Sequence, residues 1–187
     1  DMTGFQANRY GMICSTATNG TPGDLDGRMV FYKPNAHTGG YQFAFAIPLG
    51  NGVTGSQFVS YNTYQPSLDP TDANNLAANW IQLTNLSATK QNGELVFYDR
   101  GGNAIARQSV TLGAGARFDY SANDIAGFQQ IGLVEWNPEA DTALFQLRNV
   151  RYYYRADGVN IALGDDFDSA FQLEGLKGNG QLMTVPL

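Results

Sequence analysis

Residues 93–112 read GELVFYDRGGNAIARQSVTL. Two arms carrying β-branched and aromatic residues flank Asp99 to Asn103, a stretch rich in turn-forming types. Gly101 and Gly102 can take a positive φ at no steric cost, so the stretch reads as a β-hairpin. In the second arm Ile105, Val110 and Leu112 do not keep strict alternation, which predicts a bulge or an edge position. Downstream, LGAGARFDYSANDIAG (112–127) reads as a tight corner into a strand over 116–121. A single helical turn at Ala122–Gly127 follows, with Asn123 or Asp124 as its cap. Outward from this hairpin, short apolar or alternating runs recur between Gly, Asn, Asp and Pro. They predict strands at 9–15, 28–33, 41–48, 57–64, 79–86, 130–136, 143–154, 169–174 and 181–186. No long window shows apolar residues at i, i+3, i+4 and i+7, so the chain reads as all-β and antiparallel.

Composition agrees. Hydrophobic residues make up 43% of the 187, enough for a packed core, while charged residues are only 15% against roughly 25% in ordinary soluble domains. Asn, Gln, Ser, Thr and 22 Gly take their place, as suits polar uncharged strand faces and frequent turns. The net charge is −6 and no stretch clusters Lys or Arg, which argues against a nucleic-acid partner. No apolar run reaches the 18 residues that would point to a membrane-spanning helix, and no membrane insertion is expected. A start at Asp1 without a signal peptide reads as a mature or excised chain. Cys14 is a single cysteine inside GMICS and reads as a buried thiol.

The two ends of the chain resemble one another. DMTGFQ (1–6) matches DIAGFQ (124–129), and Gly11-Met12-Ile13 matches Gly132-Leu133-Val134. RMVFYK ending at Lys33 matches VRYYYR ending at Arg155, Ala44-Phe45 matches Ala170-Phe171, and QFVSY (57–61) matches QLMTV (181–185). The offsets are 124 − 1 = 123, 132 − 11 = 121, 155 − 33 = 122, 170 − 44 = 126 and 181 − 57 = 124. Their common order and small drift predict an internal repeat of one sandwich unit. The chain then divides into the closing half of a unit (1–56), a complete sandwich (57–155), and a linker with the opening strands of a further unit (156–187). Half-units expose apolar faces and unpaired edges, so the ends pack together, or complete other chains, or belong to a longer array of which the chain is a fragment.

The segment IQLTNLSATKQNGELVFYDRGGNAIARQSVTLGAGARFDYSA resembles a pattern in bacterial secreted and surface proteins with immunoglobulin-like β-sandwich repeats. The shared features are a strand ending in Thr84-Asn85, a second strand running into Phe97-Tyr98-Asp99, and the corner from Leu112 to Ser121. The resemblance implies an extracellular or cell-surface setting, an immunoglobulin-like antiparallel sandwich, an adhesive or structural role, and no catalytic residues.

Candidate chemistry is sparse. His37 sits in the loop PNAHTGG with nothing to suggest a nucleophile or a third orienting group. No zinc or phosphate-loop spacing occurs. Glu94, Glu135, Glu139 and Glu174 are the carboxylates a glycosidase would draw on, with Glu135 beside Trp136 the most suggestive; the expectation is nevertheless no enzyme. Calcium takes carboxylates gathered on turns. Asp24 with Asp26 and Asp69 with Asp72 are two such groups, and Asp165, Asp166 and Asp168 in LGDDFDS form the densest. Trp136 and the run Tyr152-Tyr153-Tyr154 are candidate glycan-stacking or interface aromatics, against the alternative that they are core residues. Tyr152 and Tyr154 share one strand face and Tyr153 takes the other. Phe171, Leu173, Leu182 and Val185 are the candidate subunit-contact positions on the trailing strands. The functional expectation is an extracellular structural protein that self-associates into a filament or surface layer by sandwich packing and strand complementation. The alternative is a glycan-binding or adhesive sandwich, with calcium as its one candidate cofactor.

Overall fold

The computed structural model describes residues 18–20, 27–34, 41–65, 76–154 and 167–177. Within them lie twelve strands and one short helix: β1 (Arg28–Pro34), β2 (Tyr41–Pro48), β3 (Val53–Thr54), β4 (Gln57–Asn62), β5 (Leu76–Asn85), β6 (Gln91–Tyr98), β7 (Ala104–Leu112), β8 (Arg117–Ser121), α1 (Ala122–Ala126), β9 (Ile131–Pro138), β10 (Leu144–Tyr154), β11 (Phe167–Glu174) and β12 (Leu176–Lys177). The protein is all-β with antiparallel pairing, as its turn-punctuated sequence predicts. The strands expected at 9–15 and 181–186 lie outside the described residues.

Two five-stranded sheets form a β-sandwich. One runs β11-β10-β5-β8 with β3 also on β10; the other runs β12-β4-β9-β6-β7. β1 and β2 form a separate two-stranded sheet. Alternation along the strands sends one side-chain set inward from each sheet. Val59, Tyr61, Leu95, Phe97, Val110, Leu112, Val134 and Trp136 come from one sheet, and Ile81, Leu83, Phe145 and Leu147 from the other. Trp136 and Phe145 meet across the core with ring centroids 4.6 Å apart, and Tyr61 packs edge-on against Phe97 at 5.5 Å. These burials supply the main driving force of the fold.

The β6–β7 hairpin forms as read; β7 is an edge strand among the described residues, and its ladder shifts register between Phe97 and Tyr98 of β6. Gly102 takes the positive φ, at 81°. The cap of α1 differs from the expectation: Ser121 Oγ accepts the N–H of Asp124, while Asn123 turns inward and accepts the N–H of Asn79. Ser121 precedes the first helical residue and so stands where an N-cap is useful.

Strands from both sides of the expected 57–155 unit join its sheets. Val53–Thr54 pairs with β10, β11 pairs with β10 over Arg148 to Tyr154, and β12 pairs with β4. The trailing strand 169–174 therefore finishes the central sheet instead of opening another unit. Its apolar residues have a complementary edge within reach, so pairing inside the chain is the shortest loop closure.

Candidate interaction surface

Asn85, the second residue of the Thr-Asn dipeptide, is fully buried. Its Nδ2 donates to the carbonyls of Thr89, Leu112 and Gly113, and its Oδ1 accepts the N–H of Ser87. One side chain thus closes the β5–β6 turn and fastens it to β7 on the facing sheet. Buried amides must find partners, and here every one of its hydrogen-bonding groups is used.

The same device closes the side of the sandwich where β4 and β10 lie across from one another. Gln57 of β4 donates to the carbonyls of Phe145 and Val53 and accepts the N–H of Leu147. In return Asn149 of β10 donates to the carbonyl of Ser60, and Asn79 Oδ1 accepts the N–H of Asn62. Asn79 and Asn149 also bond each other, at 2.6 and 3.1 Å. The outward backbone groups of β4 that no strand takes are met by side-chain amides, which blunts the edge there.

Beside this closure lies an apolar cleft of about 240 Å³, lined by Phe58, Val59, Ser60, Leu173, Glu174 and Leu176. Phe171, Leu173 and Leu176 are exposed. β11 and β12 are the outermost strands of their sheets on this side. β2 lies against β11, and Arg148 Nη2 joins the two through the Pro48 carbonyl at 2.7 Å and Glu174 at 2.9 Å. Burial holds the Arg148 pKa below that of a free guanidinium, an effect that Glu174 opposes.

A second, polar cleft of about 230 Å³ is lined by Tyr64, Asp99, Arg100, Gly101, Gln129, Gln130 and Ile131. Gln129 is the one non-glycine residue with positive φ among those described, at 59°, and its buried Oε1 has no hydrogen-bond partner. Hydrogen bonds from Asn103, its backbone N–H first, hold the Asp99 pKa below the usual carboxylate value. Buried Tyr61 carries an unpaired hydroxyl; burial pushes its pKa up to about 12, and Asp99 adds to the rise.

The sequence-derived site residues scatter. Trp136 is fully buried in the core, so it is neither a stacking platform nor a contact residue: its ring fills the space opposite Phe145. Tyr152 and Tyr153 are half-buried on β10. The Arg151 guanidinium lies 4.8 Å from the Tyr153 ring centroid, and Phe171 packs 6.5 Å away on β11. Tyr154 belongs to β10, but its side chain is outside the described residues, as is that of Asp168 on β11. Asp165, Asp166, Leu182, Val185, His37, Cys14 and the acidic pairs at Asp24/Asp26 and Asp69/Asp72 also lie outside. Phe171 and Leu173, expected at a subunit contact, sit on a strand paired within its own chain. Glu135 accepts the Tyr98 hydroxyl at 2.6 Å, a bond that raises the tyrosine pKa. The amide closure was invisible to sequence reasoning because Gln and Asn in strands read as solvent-facing. The only signal would have been their recurrence at inward positions, Asn79 and Asn85 in β5 and Asn149 in β10.

No protein-family model matches the chain, and no curated protein matches its sequence. A solved structure, described as the crystal structure of Thermotoga maritima 1070, is similar over 69% of this chain and 98% of its own, with a TM-score of 0.49 and 5% identity. A likeness at that level says nothing about function.

Proposed function

We propose that the chain is an extracellular structural protein of immunoglobulin-like sandwich units, which assembles into a filament or surface layer by sandwich packing and strand complementation. The observation that carries this reading is the β1–β2 sheet, which has only two strands among the described residues. A two-stranded ribbon is marginal alone and asks for further strands. Its neighbours at the β11 side add exposed Phe171, Leu173 and Leu176 around an apolar cleft. Such a surface is what a partner's side chains can fill. Sedimentation and negative-stain imaging of the full chain test this: concentration-dependent oligomers or fibres are expected, and a strict monomer at high concentration refutes it.

A glycan-binding module is the second reading, favoured by the polar cleft at Tyr64, Asp99, Arg100 and Gln129. An exposed aromatic, two amides and side chains of both charges suit a polyhydroxyl ligand. Calcium at Asp165, Asp166 and Asp168 belongs to this reading. A glycan array probed with calcium and with chelator decides it; no binding in either condition removes it.

A further inference from the structure

The β1–β2 hairpin repeats the β10–β11 hairpin in register. Seven pairs from Arg28↔Pro48 to Pro34↔Tyr41 correspond to seven from Arg148↔Glu174 to Tyr154↔Phe167. The offsets are 148 − 28 = 120 on one arm and 174 − 48 = 126 on the other. Both ladders shift register at the same step, after Lys33 and after Tyr153. Both close on the same hydrogen bond: Leu49 N–H to Gly27 carbonyl and Gly175 N–H to Leu147 carbonyl, each 2.7 Å. At that step the residues are exchanged, Gly27 against Leu49 and Leu147 against Gly175. A Cβ on Gly27 would come within 2.7 Å of Leu49 Cδ1, and one on Gly175 within 2.8 Å of Leu147 Cβ. Each hairpin therefore has room for one large side chain there, and each supplies one. Arg28, Val30, Tyr32, Ala44 and Phe45 recur as Arg148, Val150, Tyr152, Ala170 and Phe171.

The two hairpins differ in what lies beyond them. β10 carries β5 along its other edge through ten pairs, from Phe145↔Asn85 to Tyr154↔Leu76. Among the described residues, β1 pairs with β2 alone. In an antiparallel ribbon the N–H and C=O of alternate residues point to opposite edges. On β10 the Leu147 carbonyl faces β11 and the Leu144 carbonyl faces the β5 side, where it accepts the N–H of Leu86. Arg148, Val150 and Tyr152 therefore face β5, and by the shared register Arg28, Val30 and Tyr32 face outward from β1.

We propose that the outer edge of β1 is an acceptor for a strand of the Leu76–Asn85 pattern, presented by a neighbouring sandwich unit of the same repeat. The register transfers directly: Val30 opposite a Trp80 equivalent, Met29 opposite an Ile81 equivalent, Arg28 opposite a Gln82 equivalent. Pro34 stands at the Tyr154 position and has no N–H, so it ends the acceptor edge. This inference rests on the assembly reading for its biological sense and specifies the edge that assembly would use.

The test is amide exchange on the full chain, read at Val30 and Tyr32, with and without a synthetic peptide LAANWIQLTN. Saturating peptide is expected to slow both amides by at least about tenfold, with no effect of a scrambled peptide. Val30→Pro removes one outward donor while leaving the bonds to β2; it is expected to abolish the response while the Leu49 amide stays protected. Three results overturn the proposal: no slowing with peptide, equal slowing with the scrambled peptide, or protection of Val30 and Tyr32 already matching Val150 and Tyr152 in its absence. Protection that rises with protein concentration alone and is lost in Val30→Pro supports the proposal, with a second copy as the neighbouring unit. Assemblies that persist in Val30→Pro refute this edge but leave the assembly reading intact; peptide protection without assemblies does the reverse.

Discussion

Gln57 Oε1 lies 3.2 Å from the backbone nitrogen of Leu147 on the facing sheet. A single side-chain amide there does the work of a missing strand. It takes the Leu147 N–H on the stretch of the β10 edge between β3 and β11, where the Leu147 carbonyl is taken by the Gly175 N–H. The sandwich is closed by packing in its middle and by amides along this side.

Replacing Gln57 by Leu keeps the volume and strands the Leu147 N–H together with the carbonyls of Phe145 and Val53. Unpaired buried groups cost about 1–3 kcal/mol each, and water relieves part of that. The expected loss is about 3 kcal/mol in urea unfolding; a loss below about 1 kcal/mol would show that the amide is dispensable.

Tyr61 sets an alkaline limit. Its pKa is raised from 10.0 to about 12 in the folded chain. The folded state thus favours the neutral phenol. The stabilisation from that preference is complete below pH 10 and is lost as pH rises towards 12, up to about 2–3 kcal/mol. Stability measured between pH 9 and 12 should fall more steeply in the parent than in Tyr61→Phe, which also removes an unpaired buried hydroxyl. Equal slopes would refute the assignment.

Gly132 holds β9 close to β6. A Cβ there would overlap the backbone carbonyl of Tyr98, which cannot swing away as a side chain can. Gly132→Ala is expected to cost about 3 kcal/mol or more, or to prevent folding. Gly101→Ala is the contrast, since its Cβ would meet only the Asn103 and Asp99 side chains at 3.1 and 3.2 Å; it should cost under about 1 kcal/mol. Thermal melts of the pair check both.

Arg148 pins the β1–β2 hairpin to the sandwich through Pro48 and Glu174. Glu174 is largely exposed, so the ion pair itself contributes little. Arg148→Met should change sandwich stability by less than about 1 kcal/mol while making proteolysis across Leu49 to Gly52 several-fold faster. Unchanged cleavage would mean that the hairpin is held elsewhere.

The hairpin at 93–112 and the strands around it were legible because turn residues and β-branched runs act locally. The matched ends were legible too, but their phase was not. Ala170-Phe171 repeats Ala44-Phe45, which marks 169–174 as a closing strand. Only the register of β11 on β10 reveals which unit it closes. The aromatics misled for a related reason: sequence tells that Trp136 alternates, not which face is covered.

The sequence by itself determined an all-β chain, most of the strand positions among the described residues and the likeness of its two ends, because each follows from neighbouring residues or from direct comparison. Tertiary structure decided that Asn79, Asn85, Asn149 and Gln57 turn inward to serve backbone edges, that Trp136 is core, and that among the described residues β1 pairs with β2 alone where β10 also has β5. Those facts depend on which strand lies across from which, and long-range pairing is fixed by the packing of the whole sandwich rather than by any local run of residues.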